Sequence, residues 1–170
     1  MTTMKAMSLK EGTLAIREVA RPAPGSGQIL VRTLACAICA SDHHYMDHPE
    51  VVRADRSRMQ IHAPHDDVVM GHEYCGVVVE VGSEVRHIKP GQFVIGSFFA
   101  SDNACPVCQH GYQSSCQQAE FVGGAQAPLL RVPLADGTLV ATPGIPPKEM
   151  IPSLLTTSDV LGTGWYAAVA

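Results

Sequence analysis

Short runs rich in apolar and β-branched residues, cut by turn residues, fill most of residues 1–99 and predict strands. MKAMSL and TLAIREV flank KEG, the pattern of a hairpin. PAPGSG is a turn-rich connection, and QILVRTLACAI predicts the next strand. ASDHHYMD then predicts a short helix, with Ser41 or Asp42 able to cap its start by accepting backbone N–H bonds. Residues 49–67 are polar and irregular, as in a surface loop or insertion. A strand over about 73–81 follows and ends at Gly82-Ser83; KPG at 89–91 is a turn, and QFVIGSFF is another strand.

The pattern breaks at residues 100–118, which are cysteine-rich and too poor in large apolar groups to bury a core of their own. Residues 119–142 predict short strands, with ADGT as a hairpin turn. PGIPPKE resembles a linker, and the chain from Pro147 onward predicts helix, loop, helix. The start has the character of a natural N-terminus. The end, GWYAAVA, falls inside an apolar helix with no glycine or cap and is expected to be a cut.

Composition narrows the function classes. With 46% hydrophobic and 16% charged residues in 170, the chain fits a soluble globular class with a real core. A net charge of −4 with no Lys/Arg run argues against a nucleic-acid partner. No apolar run approaches the roughly 20 residues needed to span a bilayer, and MTTMKAMSLKEG lacks a signal-peptide core, so the cytoplasm is the expected compartment. In that reducing setting six cysteines suggest metal ligation before disulfides.

Three clusters carry candidate chemistry. In CAICASDHH, Cys36-x-x-Cys39 is a moderate metal signal. Ser41 and His44 follow where a helix would aim them into one cleft, and a hydroxyl passing protons to an imidazole is a relay. In GHEYCGVVVEVG, Gly71 allows a tight turn and His72 is a neutral ligand suited to Zn²⁺; Glu73 falls on the opposite face if the strand is regular. In SDNACPVCQHGYQSSC, Cys105, Cys108 and Cys116 supply three thiolates, and either Asp102 or His110 could complete a tetrahedron.

Taken together and in order, these segments resemble the zinc-dependent alcohol dehydrogenases of the medium-chain dehydrogenase/reductase superfamily. ACAICASDHH is similar to that family's ACGICGSDxH segment, GHEYCGVVVEVGSEV to its GHExxGxVxxVG signature, and KPGQFV to its xxGDxV turn. CPVCQHG and Cys116 match the last three cysteines of its four-cysteine lobe. The resemblance implies a mainly antiparallel, partly open GroES-like β-barrel with a cysteine-rich zinc lobe and a few short helices. It implies a catalytic domain over 1–150, the lobe at about 100–118, and at 151–170 the start of a helical connection to a Rossmann domain. No G-x-G-x-x-G follows a strand in this chain.

The same resemblance implies roles. Cys39, His72 and Asp159 match catalytic zinc ligands, Asp159 standing where many members have Cys, as in the branch of glutathione-independent formaldehyde dehydrogenases. Ser41 and His44 match the proton relay, His44 also meeting the cofactor ribose; Glu73 matches the carboxylate beside the metal, and Asp42 a residue that orients the liganding histidine. Thr163 matches a nicotinamide contact, and Asp102 stands where the first lobe cysteine is usual. Ala40 replaces a basic residue that some members place near the cofactor pyrophosphate. The implied cofactors are one catalytic and one structural Zn²⁺, with NAD or NADP. The implied activity is oxidation of a small alcohol to an aldehyde or ketone, in a homo-oligomer (dimer or tetramer) when full length, and none for this chain alone. The competing expectation is a non-catalytic zinc-binding or interaction module in which Cys36, Cys39, Cys105 and Cys108 share a single site.

Overall fold

A computed structural model of the chain describes residues 2–48, 50 and 67–170. Among these, ten strands form three sheets, and every strand pair is antiparallel. The expected KEG hairpin joins β1 (Thr3–Lys10) to β2 (Thr13–Ala20). Glu11 and Gly12 both take positive φ, 50° and 76°, the two-residue turn whose twist matches the strands it links. β3 (Ile29–Cys36) leads into helix α1 (Ala40–Asp47), and β4 (Asp67–Val69) adds to the free side of β1. The stretch 49–67, read as a loop, lies outside the described residues except for Glu50 and Asp67.

The second sheet holds the main core. β5 (Tyr74–Val81) lies between β3 and β6 (Phe93–Gly96); β9 (Leu129–Val132) and β10 (Leu139–Ala141) form the two edges, in the order β10-β6-β5-β3-β9. Side chains alternate across this sheet. Tyr74 and Val78 pack with Ile29, Val31, Val94, Leu130, Val132 and Leu139 on one face. Cys75, Phe93 and Ile95 face the other way, where Ile151, Leu154 and Leu155 of helix α4 (Ile151–Thr156) cover them. The result is the mainly β, partly open barrel expected, with few helices.

Two local expectations fail for identifiable reasons. QFVIGSFF is not one strand: β6 stops at Gly96, and β7 (Phe99–Ala100) pairs instead with β8 (Glu120–Phe121). The break falls where Ser97 Oγ accepts the Phe99 N–H at 3.1 Å, a local bond that competes with the ladder. ADGT is not a hairpin turn. It forms a one-turn helix, α3 (Ala135–Thr138), that carries the chain from one edge of the five-stranded sheet to the other. The Asp136 carboxylate fixes it there by accepting the backbone N–H groups of Arg86, His87 and Ile88 at 2.7, 2.9 and 3.2 Å.

The lobe leaves the barrel after β7 and returns at β8. It contains α2 (Pro106–Gln109) and a 3₁₀ turn at Gln113–Ser115. The chain ends in α5 (Val160–Val169), which starts directly after Asp159. No helix among the described residues is long and apolar enough to cross a membrane.

Candidate metal centres

The first centre draws on three distant stretches. Cys39 stands at the N-cap of α1, and Asp42, three residues on, accepts the Cys39 backbone N–H at 2.9 Å. The cap is therefore not made by Ser41 or Asp42 as N-cap residue. Asp42 works from inside the first turn, and Ser41 Oγ is buried without a hydrogen-bond partner. Gly71 sets the second stretch. Its φ of +88° breaks the extended path, and a Cβ there would meet Gln126 Cγ at 2.6 Å and Cys36 Sγ at 2.7 Å. Pleating begins only at Tyr74, so His72 and Glu73 do not alternate across a strand; both turn into the same buried site, 7% and 2% exposed. Asp159, at the start of α5, completes the group.

One donor atom each from Cys39, His72, Glu73 and Asp159 lies within 4.8 Å of the others. A tetrahedral ion with bonds of about 2.0–2.3 Å holds its donors roughly 3.3–3.8 Å apart, so a small contraction around one ion suffices. A thiol, an imidazole and two carboxylates are also a donor set of the right chemistry, since thiolate, imidazole and carboxylate are the usual protein ligands of zinc. The residues therefore fit a zinc ion. His72 Nε2 lies 3.5 Å from Asp159 Oδ2, while Nδ1 faces Asp42 Oδ1 at 3.9 Å. With this ring orientation Nε2 would face a bound metal, with the Asp42 carboxylate on the other side of the ring.

Several supporting groups escape a sequence reading. Gln126 Nε2 donates to Asp42 Oδ2 at 3.4 Å. Phe98 meets the His72 ring edge-on at a centroid distance of 5.7 Å, and Phe121 sits 6.2 Å away. Thr163, expected near the cofactor, donates its hydroxyl to Asp159 Oδ1 at 2.8 Å. Only this last pair leaves a sequence signal, a Thr four residues after an Asp at a helix start. His44 is exposed, and its ring lies against His48 rather than in the donor group. Cys36 stays outside the group too; burial, then the charges of Asp42 and Glu73, pushes its thiol up to about 12.

The second centre is local. Asp102, Cys105, Cys108 and Cys116 again bring one donor each within 4.8 Å, with Cys105 Sγ and Cys116 Sγ 4.0 Å apart. His110, the other candidate for the fourth place, is exposed with Nδ1 on the Pro106 carbonyl at 2.7 Å. Asp102 Oδ1 accepts the N–H groups of Cys105 and Ala104 at 3.0 and 2.9 Å, and these hold the carboxyl well below its ordinary range. The thiols diverge. Backbone N–H groups of Gln117 and Cys108 lower Cys105, whereas burial and then the neighbouring donors push Cys108 up to about 12. Three thiols and a carboxylate this close together are a donor set that fits a structural zinc ion. Cys39 and Cys105 fall in separate groups, so the two CxxC pairs do not form one shared site.

A family model described as the alcohol dehydrogenase GroES-like domain matches residues 25–144. The chain belongs to this family. Within it, the chain is 35% identical over 157 residues to zinc-type alcohol dehydrogenase B of Aspergillus flavus, covering 87% of this chain and 33% of that protein. Among solved structures, the alcohol dehydrogenase TADH from Thermus sp. ATN1 superposes with a TM-score of 0.76 at 28% identity, over 95% of this chain and 46% of that one. A zinc-binding dehydrogenase from Sinorhizobium meliloti 1021, solved bound to NADP, gives a TM-score of 0.64 at 34% identity, over 84% of this chain and 39% of that one. This alcohol dehydrogenase domain thus spans between a third and a half of each relative's length. The matched region holds Cys39, His72, Glu73 and the whole lobe, and stops before Asp159.

Proposed function

We propose that this chain is the zinc-binding catalytic part of an NAD(P)-linked alcohol dehydrogenase that oxidises a small alcohol to an aldehyde or ketone. One observation carries the reading: donors at 39, 72, 73 and 159, two buried and two partly buried, come within 4.8 Å of one another. Cys39, His72 and Asp159 would hold the catalytic zinc, with Glu73 beside it, and Asp102, Cys105, Cys108 and Cys116 the structural one. The catalytic ion, when bound, supplies Lewis acidity toward the oxygen of an alcohol. The chain's own residues do the rest. Thr163 fixes the Asp159 carboxylate by a hydrogen bond, and Asp42 places its charge 3.9 Å from His72 Nδ1, on the side of the ring away from the metal. Ser41, whose hydroxyl is buried and unpaired, takes the alcohol proton and passes it outward toward His44. Phe98 and Phe121 exclude water beside His72.

In this reading residues 1–150 form the catalytic unit and 151–170 lead toward a nucleotide-binding domain. The full enzyme is a cytoplasmic homo-oligomer, a dimer or tetramer, with no nucleic-acid or membrane partner. The test is to assay the 170-residue chain alone, and then fused to the nucleotide-binding half of a zinc-type relative, with NAD⁺, NADP⁺ and a panel of alcohols. The fusion should turn over, and Cys39→Ala should lower its kcat/KM by about 1,000-fold, the scale of a lost metal contribution. The chain alone should show no turnover. A fusion indifferent to Cys39→Ala would overturn the catalytic assignment.

A further inference from the structure

Helix α1 carries His44, and its C-terminal cap is His48, a pairing the dehydrogenase chemistry does not call for. His44 lies in the last turn of the helix and His48, four residues on, is its C-cap residue with non-helical φ and ψ of −131° and 67°. The turn between them is intact, because the His48 N–H donates to the His44 carbonyl at 2.9 Å. Their ring centroids are 4.8 Å apart, and both side chains are exposed. An ion about 2.1 Å from one nitrogen of each ring lies about 3.2 Å from each ring centre. A bite of roughly 90–110° then sets the centres about 4.5–5.2 Å apart, which brackets the spacing observed.

The surroundings support ligation. His48 Nδ1 lies 3.4 Å from Glu50 Oε1, which places a carboxylate beside one ring nitrogen and leaves Nε2 for a metal. The neighbouring His43 turns elsewhere, with Nδ1 on Asp47 Oδ2 at 3.0 Å. Asp47 and Glu50 also make the local field favourable to a cation.

We infer that His44 and His48 form a third, exchangeable site for a divalent transition ion such as Ni²⁺, Cu²⁺ or Zn²⁺, and that filling it withdraws His44 from proton transfer. The site stands on geometry alone; its effect on turnover rests on the dehydrogenase reading. The chain with its two tight zinc equivalents loaded is dialysed against increasing Ni²⁺, and bound metal is counted. One further equivalent should bind and should vanish in His48→Gln. It should weaken about tenfold in Glu50→Gln, the usual effect of removing a carboxylate behind a liganding imidazole. It should persist in His43→Gln. A third equivalent that survives His48→Gln, or no third equivalent in the unmodified chain, overturns the site. In the fusion enzyme, Ni²⁺ should slow turnover, and His48→Gln should relieve the inhibition. Nickel bound at this pair without slowing turnover would refute the role of His44 while leaving the metal site in place. Failure of the dehydrogenase reading itself would appear instead in the two tight zinc equivalents or in the uninhibited activity.

Discussion

The lobe donors occupy one short stretch, residues 102–116, whereas the donors of the other centre run from residue 39 to residue 159. Between Asp102 and Ala119 the only buried residues are two of the donors, Cys108 and Cys116. The lobe has no apolar core, so its metal would be its core. His72 and Glu73 have the opposite support. They hang between a pinned glycine and the central strand, β5, and the surrounding sheet is packed on both faces. A metal in the lobe would organise its chain, whereas the other donor group is already organised by its chain.

The comparison can be broken most sharply by removing metal. A strong chelator, or Cys105→Ala, should open residues 102–119 to protease about tenfold or more faster while the circular dichroism of the sheets persists. Cys39→Ala should leave that cleavage pattern unchanged. Equal opening by both variants would erase the distinction.

Glycines give the next contrast. Gly71 and Gly111 share a φ of +88°, but a Cβ at Gly71 meets packed atoms under 3 Å away, while nothing lies within 4 Å at Gly111. Gly111→Ala should cost only the left-handed strain, about 1–2 kcal/mol. Gly71→Ala adds overpacking, for about 3 kcal/mol in all, and should lower metal affinity at the first centre. Denaturant melts of the two variants decide this.

Smaller effects test the scaffold between the centres. Burial opposes the charge on Asp136, yet three backbone N–H donors hold its carboxyl below the ordinary value. A depressed folded-state pKa contributes stability at neutral pH that is lost as pH falls through it. Asp136→Asn should therefore cost about 1 kcal/mol near neutrality, discounted for partial exposure, and the gap should close in acid. Tyr74 is 0% exposed and its hydroxyl has no partner. Tyr74→Phe should raise stability by about 1 kcal/mol in a thermal melt.

What the sequence disclosed follows the same division. The lobe was legible because its ligands sit at local spacings, and the choice of Asp102 over His110 needed only the return of Asp102 Oδ1 onto the Cys105 N–H. The first centre was legible only through resemblance, since no local rule joins Cys39 to Asp159. The fold failed to show where distant partners decide it. ADGT follows Asp136 and its bonds to residues 86–88 rather than its own turn propensity. His72 and Glu73 share a site because Gly71 delays the pleat by two residues, and Asp42 replaces the expected cap because Cys39 already occupies that position.

The most direct test of two separate centres is zinc stoichiometry on purified variants. The chain should bind two tight equivalents, and Cys39→Ala and Cys105→Ala should each lose one. The double variant should lose both. A single equivalent removed by either substitution alone would contradict the account.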